Sequence, residues 1–257
     1  MIEWKNKEPG YYTPEGELIL TWSQLKEKRM IAFDEYGEIY KKEIWFKHAY
    51  FLEPKGGILV FASDVKYVMK DAFKHSHITG IVLNEGLKEM WDRAFCEARE
   101  LKFVVFSSTI ESIGRSAFRS CYNLKNIEIK SPITQIEGLT FKYCHSLETV
   151  TIESPELTYI DEESFAFCTK MHTCIINAPI KHIGMEAFYR CDKLKHYNKL
   201  TTPKFIHGWA FSGSPAIDDV VHKKYESYFA KNGITDEAER ERISSIGINA
   251  VELLLNY

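Results

Sequence analysis

A pair made of a small residue followed by phenylalanine recurs seven times along this chain. The copies are Ala72-Phe73, Ala94-Phe95, Ala117-Phe118, Thr140-Phe141, Ser164-Phe165, Ala187-Phe188 and Ala210-Phe211, with the phenylalanines spaced 22, 23, 23, 24, 23 and 23 residues apart. Five residues before each Phe lies Val68, Met90, Ile113, Ile136, Ile160, Ile183 or Ile206. Three residues after it lies Ser76, Ala98, Cys121, Cys144, Cys168, Cys191 or Ser214. Six after it comes Leu101, Leu124, Leu147, Met171, Leu194 or Ile217, and the short first copy supplies Ile78 instead. A fixed period of this length is the mark of a repeat architecture and outranks any local signal.

The stretch after each of these positions alternates. Leu124-Lys125-Asn126-Ile127-Glu128-Ile129 and Leu147-Glu148-Thr149-Val150-Thr151-Ile152 place β-branched residues at every second position, which predicts a strand with one buried face. Pro132, Pro155, Pro179 and Pro203 then close the strands, since proline cannot donate to a ladder. Each unit reads as a strand, a turn, an apolar bend and a compact segment built on the Phe. One unit alone cannot bury its apolar face, so neighbours must stack, with strands in parallel at about 4.8 Å per turn and the Phe residues in a column behind them. A degenerate earlier turn fits at Trp45, Ala49-Tyr50, Leu59 and Phe61, which makes about eight turns over residues 45–217.

The pattern, carried best by Ile113-Gly114-Arg115-Ser116-Ala117-Phe118-Arg119-Ser120-Cys121-Tyr122-Asn123-Leu124, resembles the BspA-type leucine-rich repeat family. The resemblance implies an α/β, β-rich solenoid with a parallel concave sheet, of the kind used for protein recognition on bacterial or protist surfaces.

Non-repeat segments flank the solenoid. Residues 1–44 are expected to form an N-terminal cap with a short helix: Thr21 and Gln24 have capping-box spacing, and the helix runs through Leu25 to about Arg29, with strands over Met30–Phe33 and Glu38–Trp45. Residues 218–257 are expected to form a helical C-terminal cap. Asp218 and Asp219 favour a helix start and Gly233 its stop; a second helix begins at Thr235 and a short third one near Asn249. Leu253–Tyr257 closes the solenoid or docks onto a partner.

Enzyme chemistry finds little support. No phosphate loop, dinucleotide fingerprint, nucleophile elbow or HExxH motif occurs, so no catalytic, cofactor-binding or metal residues are assigned. Cys121, Cys144, Cys168 and Cys191 share one repeat slot; buried free thiols, disulfides between stacked neighbours and a metal site are the three readings. Ser76 and Ala98 in the same slot favour thiols packed as small side chains. His75-Ser76-His77 and Asp161-Glu162-Glu163 read as solvated turns. A net charge of −3 and a pI near 6.3 give no footprint for nucleic acid.

The strand positions facing away from the core line the concave face. Ile58, Val60, Val82, Phe103 and Val105 are apolar there, whereas the following turns place Asn126, Glu128, Thr149 and Thr151. An apolar stripe on a wet face marks a contact surface, either for the N-terminal 44 residues or for a partner. These nine residues are the candidate partner-binding site. The function expected is a non-enzymatic protein–protein interaction module without cofactor. The alternatives are a secreted or cell-surface adhesin of the same fold and an enzyme with an unrecognised site. The opening residues Met1–Glu8 lack an apolar signal core, and no run approaches the ~18 apolar residues of a membrane span; this predicts a cytoplasmic protein, or one at the cell surface if a leader was removed.

Overall fold

The structure, a computed structural model, describes residues 3–27, 32–33, 38–40, 56–197, 205–246 and 248–249. The N-terminal segment contains β1 (Gly10–Tyr12), β2 (Leu18–Thr21), helix α1 (Trp22–Glu27), β3 (Ala32–Phe33) and β4 (Glu38–Tyr40). Each following turn contributes a strand to the concave sheet, three to five residues long except for β17, and a second strand of two residues. These are β5 (Ile58–Val60) with β6 (Tyr67–Val68), β7 (Gly80–Val82) with β8 (Glu89–Met90), β9 (Phe103–Val105) with β10 (Ser112–Ile113) and β11 (Asn126–Ile129) with β12 (Gln135–Ile136). They continue as β13 (Thr149–Glu153) with β14 (Tyr159–Ile160), β15 (Thr173–Asn177) with β16 (His182–Ile183) and β17 (His196–Tyr197) with β18 (Phe205–Ile206). Helices α2 (Pro215–Lys231) and α3 (Glu237–Ile246) and strand β19 (Ile248–Asn249) follow.

The longer strands form one sheet in the order β17-β15-β13-β11-β9-β7-β5-β1-β2. It is parallel from β17 to β5, and the repeat period sets the register: Asn126 faces Thr149, which faces Thr173. The two-residue strands build two further short sheets, β10-β8-β6-β4-β3 and β12-β14-β16-β18-β19. The apolar bend read from the sequence is therefore itself a strand, too short for alternation to reveal.

The third side of each turn carries the phenylalanines. Six consecutive pairs from Phe73 to Phe211 stack with centroids 4.9–5.5 Å apart and ring planes within 14° of parallel. Phe118, Phe141 and Phe165 are fully buried. The backbone there forms its own ladder. The amides of Phe95, Phe118, Phe141 and Phe165 donate to the carbonyls of Ala117, Thr140, Ser164 and Ala187 in the next turn, at 2.8–2.9 Å. From Phe73 to Phe188 the residues two before and two after the Phe have positive φ, as at Ser116 and Ser120 or Leu139 and Tyr143. Their amides also point along the solenoid, Ser120 N to Lys142 O at 2.8 Å and Tyr143 N to Ala166 O at 2.9 Å. Left-handed backbone without glycine is strained; here the turn-to-turn hydrogen bonds and the buried ring hold it.

The cysteine slot has a hydrogen-bonding role besides its size. Cys121, Cys144, Cys168 and Cys191 each donate Sγ–H to the carbonyl of the Phe one turn earlier, all at 3.3 Å. Ser214 does the same to Phe188 O at 2.6 Å. All six cysteines are buried and unpaired with one another. Burial pushes their thiols up, Cys174 to about 12, which keeps them protonated as donors and unreactive.

The ends adjust the predicted boundaries. Thr21 and Gln24 exchange the two bonds of a capping box, Thr21 N to Gln24 Oε1 at 2.8 Å and Gln24 N to Thr21 Oγ1 at 3.2 Å, and α1 is described to Glu27. Helix α2 starts at Pro215 rather than at Asp218, since proline pre-sets the first helical φ. Helix α3 starts at Glu237, where Asp236 Oδ1 accepts from Glu239 N at 2.8 Å. At Ile248–Asn249 the chain is a strand antiparallel to β18, and the short third helix expected after Asn249 falls outside the described residues. Trp45, Ala49, Tyr50, Pro203 and Leu253–Tyr257 lie outside the described residues.

Three outcomes follow from this packing. Phe141→Ala should lower stability by about 3–5 kcal/mol, as for large-to-small core changes; urea unfolding reads it, and a loss below ~1 kcal/mol contradicts the column. Cys144→Ser should cost under about 1 kcal/mol, because a hydroxyl makes the same bond in this slot at Ser214. Thiol titration of the wild type without reductant should find slow reaction when native and all six thiols once unfolded.

Candidate concave-face site

The outward positions of the concave sheet fall into a covered half and an open half. Strand β1 pairs antiparallel to β5, with Gly10 opposite Val60, Tyr11 opposite Leu59 and Tyr12 opposite Ile58. Alternation along β1 then sends its two tyrosines to opposite faces. Tyr11 is fully buried in the main core, and its hydroxyl accepts from Gly57 N at 2.9 Å. A side chain at residue 57 would put its Cβ 2.2 Å from the Tyr11 ring, so glycine is required there for space. Tyr12 turns to the concave side, where its hydroxyl donates to Glu8 O at 2.6 Å; burial, and then the Glu8 carboxylate, push its pKa up.

Tyr12 forms a second small core with Ile58, Val60 and Val82, against which Trp4, Phe103 and Val105 pack. The Trp4 ring lies 6.1 Å from Phe103 and edge-on to Tyr12 at 6.0 Å. Gly80, in the lane between Ile58 and Phe103, makes room for this arrangement: a Cβ there would sit 2.3 Å from Phe103 Cζ and 2.9 Å from Ile58 Cγ1. Ile58, Val60 and Val82 are thus buried under the protein's own N-terminus, and of the predicted site they are not an open surface. Phe103 and Val105 remain half-buried at its margin. The physical reason is the short reach: a strand added at the sheet edge carries its next aromatic side chains over the first lanes only.

Beyond Phe103 and Val105 the face is open and mostly polar. Asn126 and Glu128 are exposed, Thr149 and Thr151 half-buried, and Thr173 and Ile175 continue the two lanes. Thr149 Oγ1 donates to Asn126 Oδ1 at 2.7 Å, and Glu128 pairs with Lys130 at 2.7 Å. These side chains stand on strands paired on both sides, so their spacing is fixed by the backbone ladder.

The remaining sequence candidates are placed elsewhere. His75 and His77 sit near carboxylates of the next turn, His75 Nδ1 3.4 Å from Glu97 and His77 Nδ1 2.7 Å from Glu100. No group of three metal-ligating side chains occurs among the described residues. Asp161, Glu162 and Glu163 are paired across turns with Arg115 and Lys142 rather than merely solvated. Missed by the sequence reading were Trp4 and Tyr12 as the cover, although an exposed-lane apolar stripe was the signal for one. Missed too was a stack on the outer short sheet, where His182 lies 4.2 Å from both Tyr159 and Phe205 and burial lowers its pKa.

The family described as the BspA type leucine rich repeat region matches residues 51–154 and 88–218, in six copies. No curated protein matches the chain. Among solved structures, a leucine-rich repeat protein of T. pallidum is similar with a TM-score of 0.63 at 19% identity, over 77% of this chain and 91% of that one. A leucine-rich repeat protein of Eubacterium ventriosum is similar with a TM-score of 0.60 at 21% identity, over 71% of this chain but only 49% of its own length. At these identities the likeness is one of fold.

Gly80→Ala should displace Phe103 and loosen Trp4, with a loss of about 1–3 kcal/mol, the usual cost of overpacking. Thermal unfolding and the accessibility of Trp4 to a fluorescence quencher check this; an unchanged melt with unchanged quenching contradicts the arrangement.

Proposed function

Because the chain belongs to the BspA-type leucine-rich repeat family, we propose that it is a non-enzymatic interaction module that binds a protein on the open half of its concave face. One observation carries the reading: the apolar lanes are covered from within, while Asn126, Glu128, Thr149 and Thr151 stand uncovered at fixed spacing on paired strands. A surface of hydroxyl, amide and carboxylate groups held rigid loses little side-chain freedom on association, which favours selective polar contacts. The half-buried Phe103 and Val105 beside it supply an apolar margin that a partner can extend over.

The test is a paired substitution. Thr149→Arg with Thr151→Arg changes only outward side chains, so the melting temperature should stay within a few degrees of wild type. Affinity capture from the native source, compared between the two proteins, should lose a defined partner with the variant. Equal recovery of every captured species would remove the concave face from consideration.

A further inference from the structure

The cover over the concave lanes has two parts that are held differently. Tyr12 stands on β1, which is paired to β2 on one side and to β5 on the other. Trp4 stands on a three-residue 3-10 turn, Trp4–Asn6, none of whose residues is buried. Among the described residues, the hydrogen bonds of residues 3–8 stay within the N-terminal segment. Asn6 N donates to Glu3 O at 3.1 Å, Lys7 N to Trp4 O at 3.2 Å and Asn6 Nδ2 to Glu3 Oε2 at 2.7 Å. Lys7 Nζ donates to Gly16 O at 2.9 Å, and Glu8 O accepts from the Tyr12 hydroxyl at 2.6 Å. None of these bonds reaches β5, β7 or β9. The turn is held on the sheet by side-chain contact, and Trp4 can leave without breaking a ladder bond.

Under the Trp4 ring lies a formed acceptor. The ring is tilted by 32° to Phe103 and stands edge-on to Tyr12, with half-buried Val105 beside them. Gly80 leaves the space that the Phe103 ring occupies. The acceptor is continuous with the open half of the face, because Phe103 is paired in register with Asn126. Its resident shows the chemistry it takes: a flat aromatic side chain set against two others. Ile58, Val60 and Val82 keep Tyr12 as their neighbour whether or not Trp4 is in place, since β1 is fixed by its two strand partners.

We propose that Trp4 is an internal stand-in for the partner. A protein lying on the open half inserts an aromatic side chain of its own between Phe103 and Tyr12 and displaces Trp4. The inference rests on the concave-face reading and adds the side chain that the partner brings and the contact that it breaks. Tryptophan and tyrosine are enriched among the residues that anchor interfaces. One ring replaces another, so the exchange itself is nearly neutral and the affinity comes from the rest of the face. Apparent affinity is lowered in proportion to the fraction of chains in which the acceptor is free. Trp4 thereby acts as a gate.

The probe is the synthetic peptide Glu-Trp-Lys-Asn-Lys-Glu, the sequence of residues 3–8, added to the full-length Trp4→Ala chain. Binding is read from the methyl NMR signals of Val82 and Val105. The peptide should shift these signals saturably at millimolar concentration, and a peptide with Ala in place of Trp should not. Wild type should need at least about tenfold more peptide, because its own tethered Trp4 competes at a high effective concentration. Adding Phe103→Ala to the Trp4→Ala chain should abolish the response. An equal response of wild type and Trp4→Ala, an equal response to both peptides, or no response at millimolar peptide overturns the proposal. A melting temperature lowered by more than about 10 °C in Trp4→Ala overturns it too, since Trp4 would then be part of the core. If the acceptor fails while the Thr149→Arg, Thr151→Arg chain still loses its captured partner, the concave-face reading stands and the gate alone falls.

Discussion

Every turn of this solenoid is tied to the next through a phenylalanine ring and the three amides around it. The rings stack at van der Waals distance, and the amides at and beside each Phe donate forward along the axis. Neither contact exists inside a single turn. The unit is therefore stable only in the stack, and its non-glycine residues can hold left-handed backbone because neighbours on both sides fix them. The cysteine slot belongs to the same system: a protonated thiol one turn on supplies a second donor to the Phe carbonyl. Small size alone permits alanine there, whereas the hydrogen bond accounts for the four cysteines and Ser214.

A stack of this kind has two exposed ends, and the first one shapes the concave face. The β1–β2 hairpin continues the concave sheet in the opposite strand direction, places Tyr11 in the main core and carries Tyr12 and Trp4 over the first lanes. Capping the edge and covering the stripe are one structural act, since alternate side chains of a single strand serve the two faces. The open part of the concave sheet is thereby moved to the middle turns. At the other end α2 and α3 follow the last Phe, and Tyr225 and Phe229 join the core while Tyr225 donates to Ile206 O at 2.7 Å. The ion pairs between turns, such as Asp71 with Arg93 or Lys88 with Glu111, are solvent-exposed and contribute at most about 1 kcal/mol each.

The period, the Phe column, the longer parallel strands and the family were legible in the residues, because seven copies repeat the same spacing and each names one buried position. The outward slots were legible for the same reason: once alternation locates Ile127 and Ile129 inside, Asn126 and Glu128 must face out. The two-residue strands were not legible, since two residues carry no periodicity. Nor were the start of α2 and the strand at Ile248–Asn249, where backbone geometry and a neighbouring strand override local composition.

What covers the apolar stripe was open in the sequence and closed in the fold. Ile58, Val60 and Val82 read identically whether a partner or the N-terminus lies on them, because burial is a property of what arrives, not of the residue. Trp4 lies almost a hundred positions from Phe103, and no local rule pairs the two. Their contact exists because β1 adds to β5 in one register and Gly80 leaves space for the ring. Residue spacing along the chain thus sets the repeat and its core, while contacts across large sequence separation set which part of the concave face is left open.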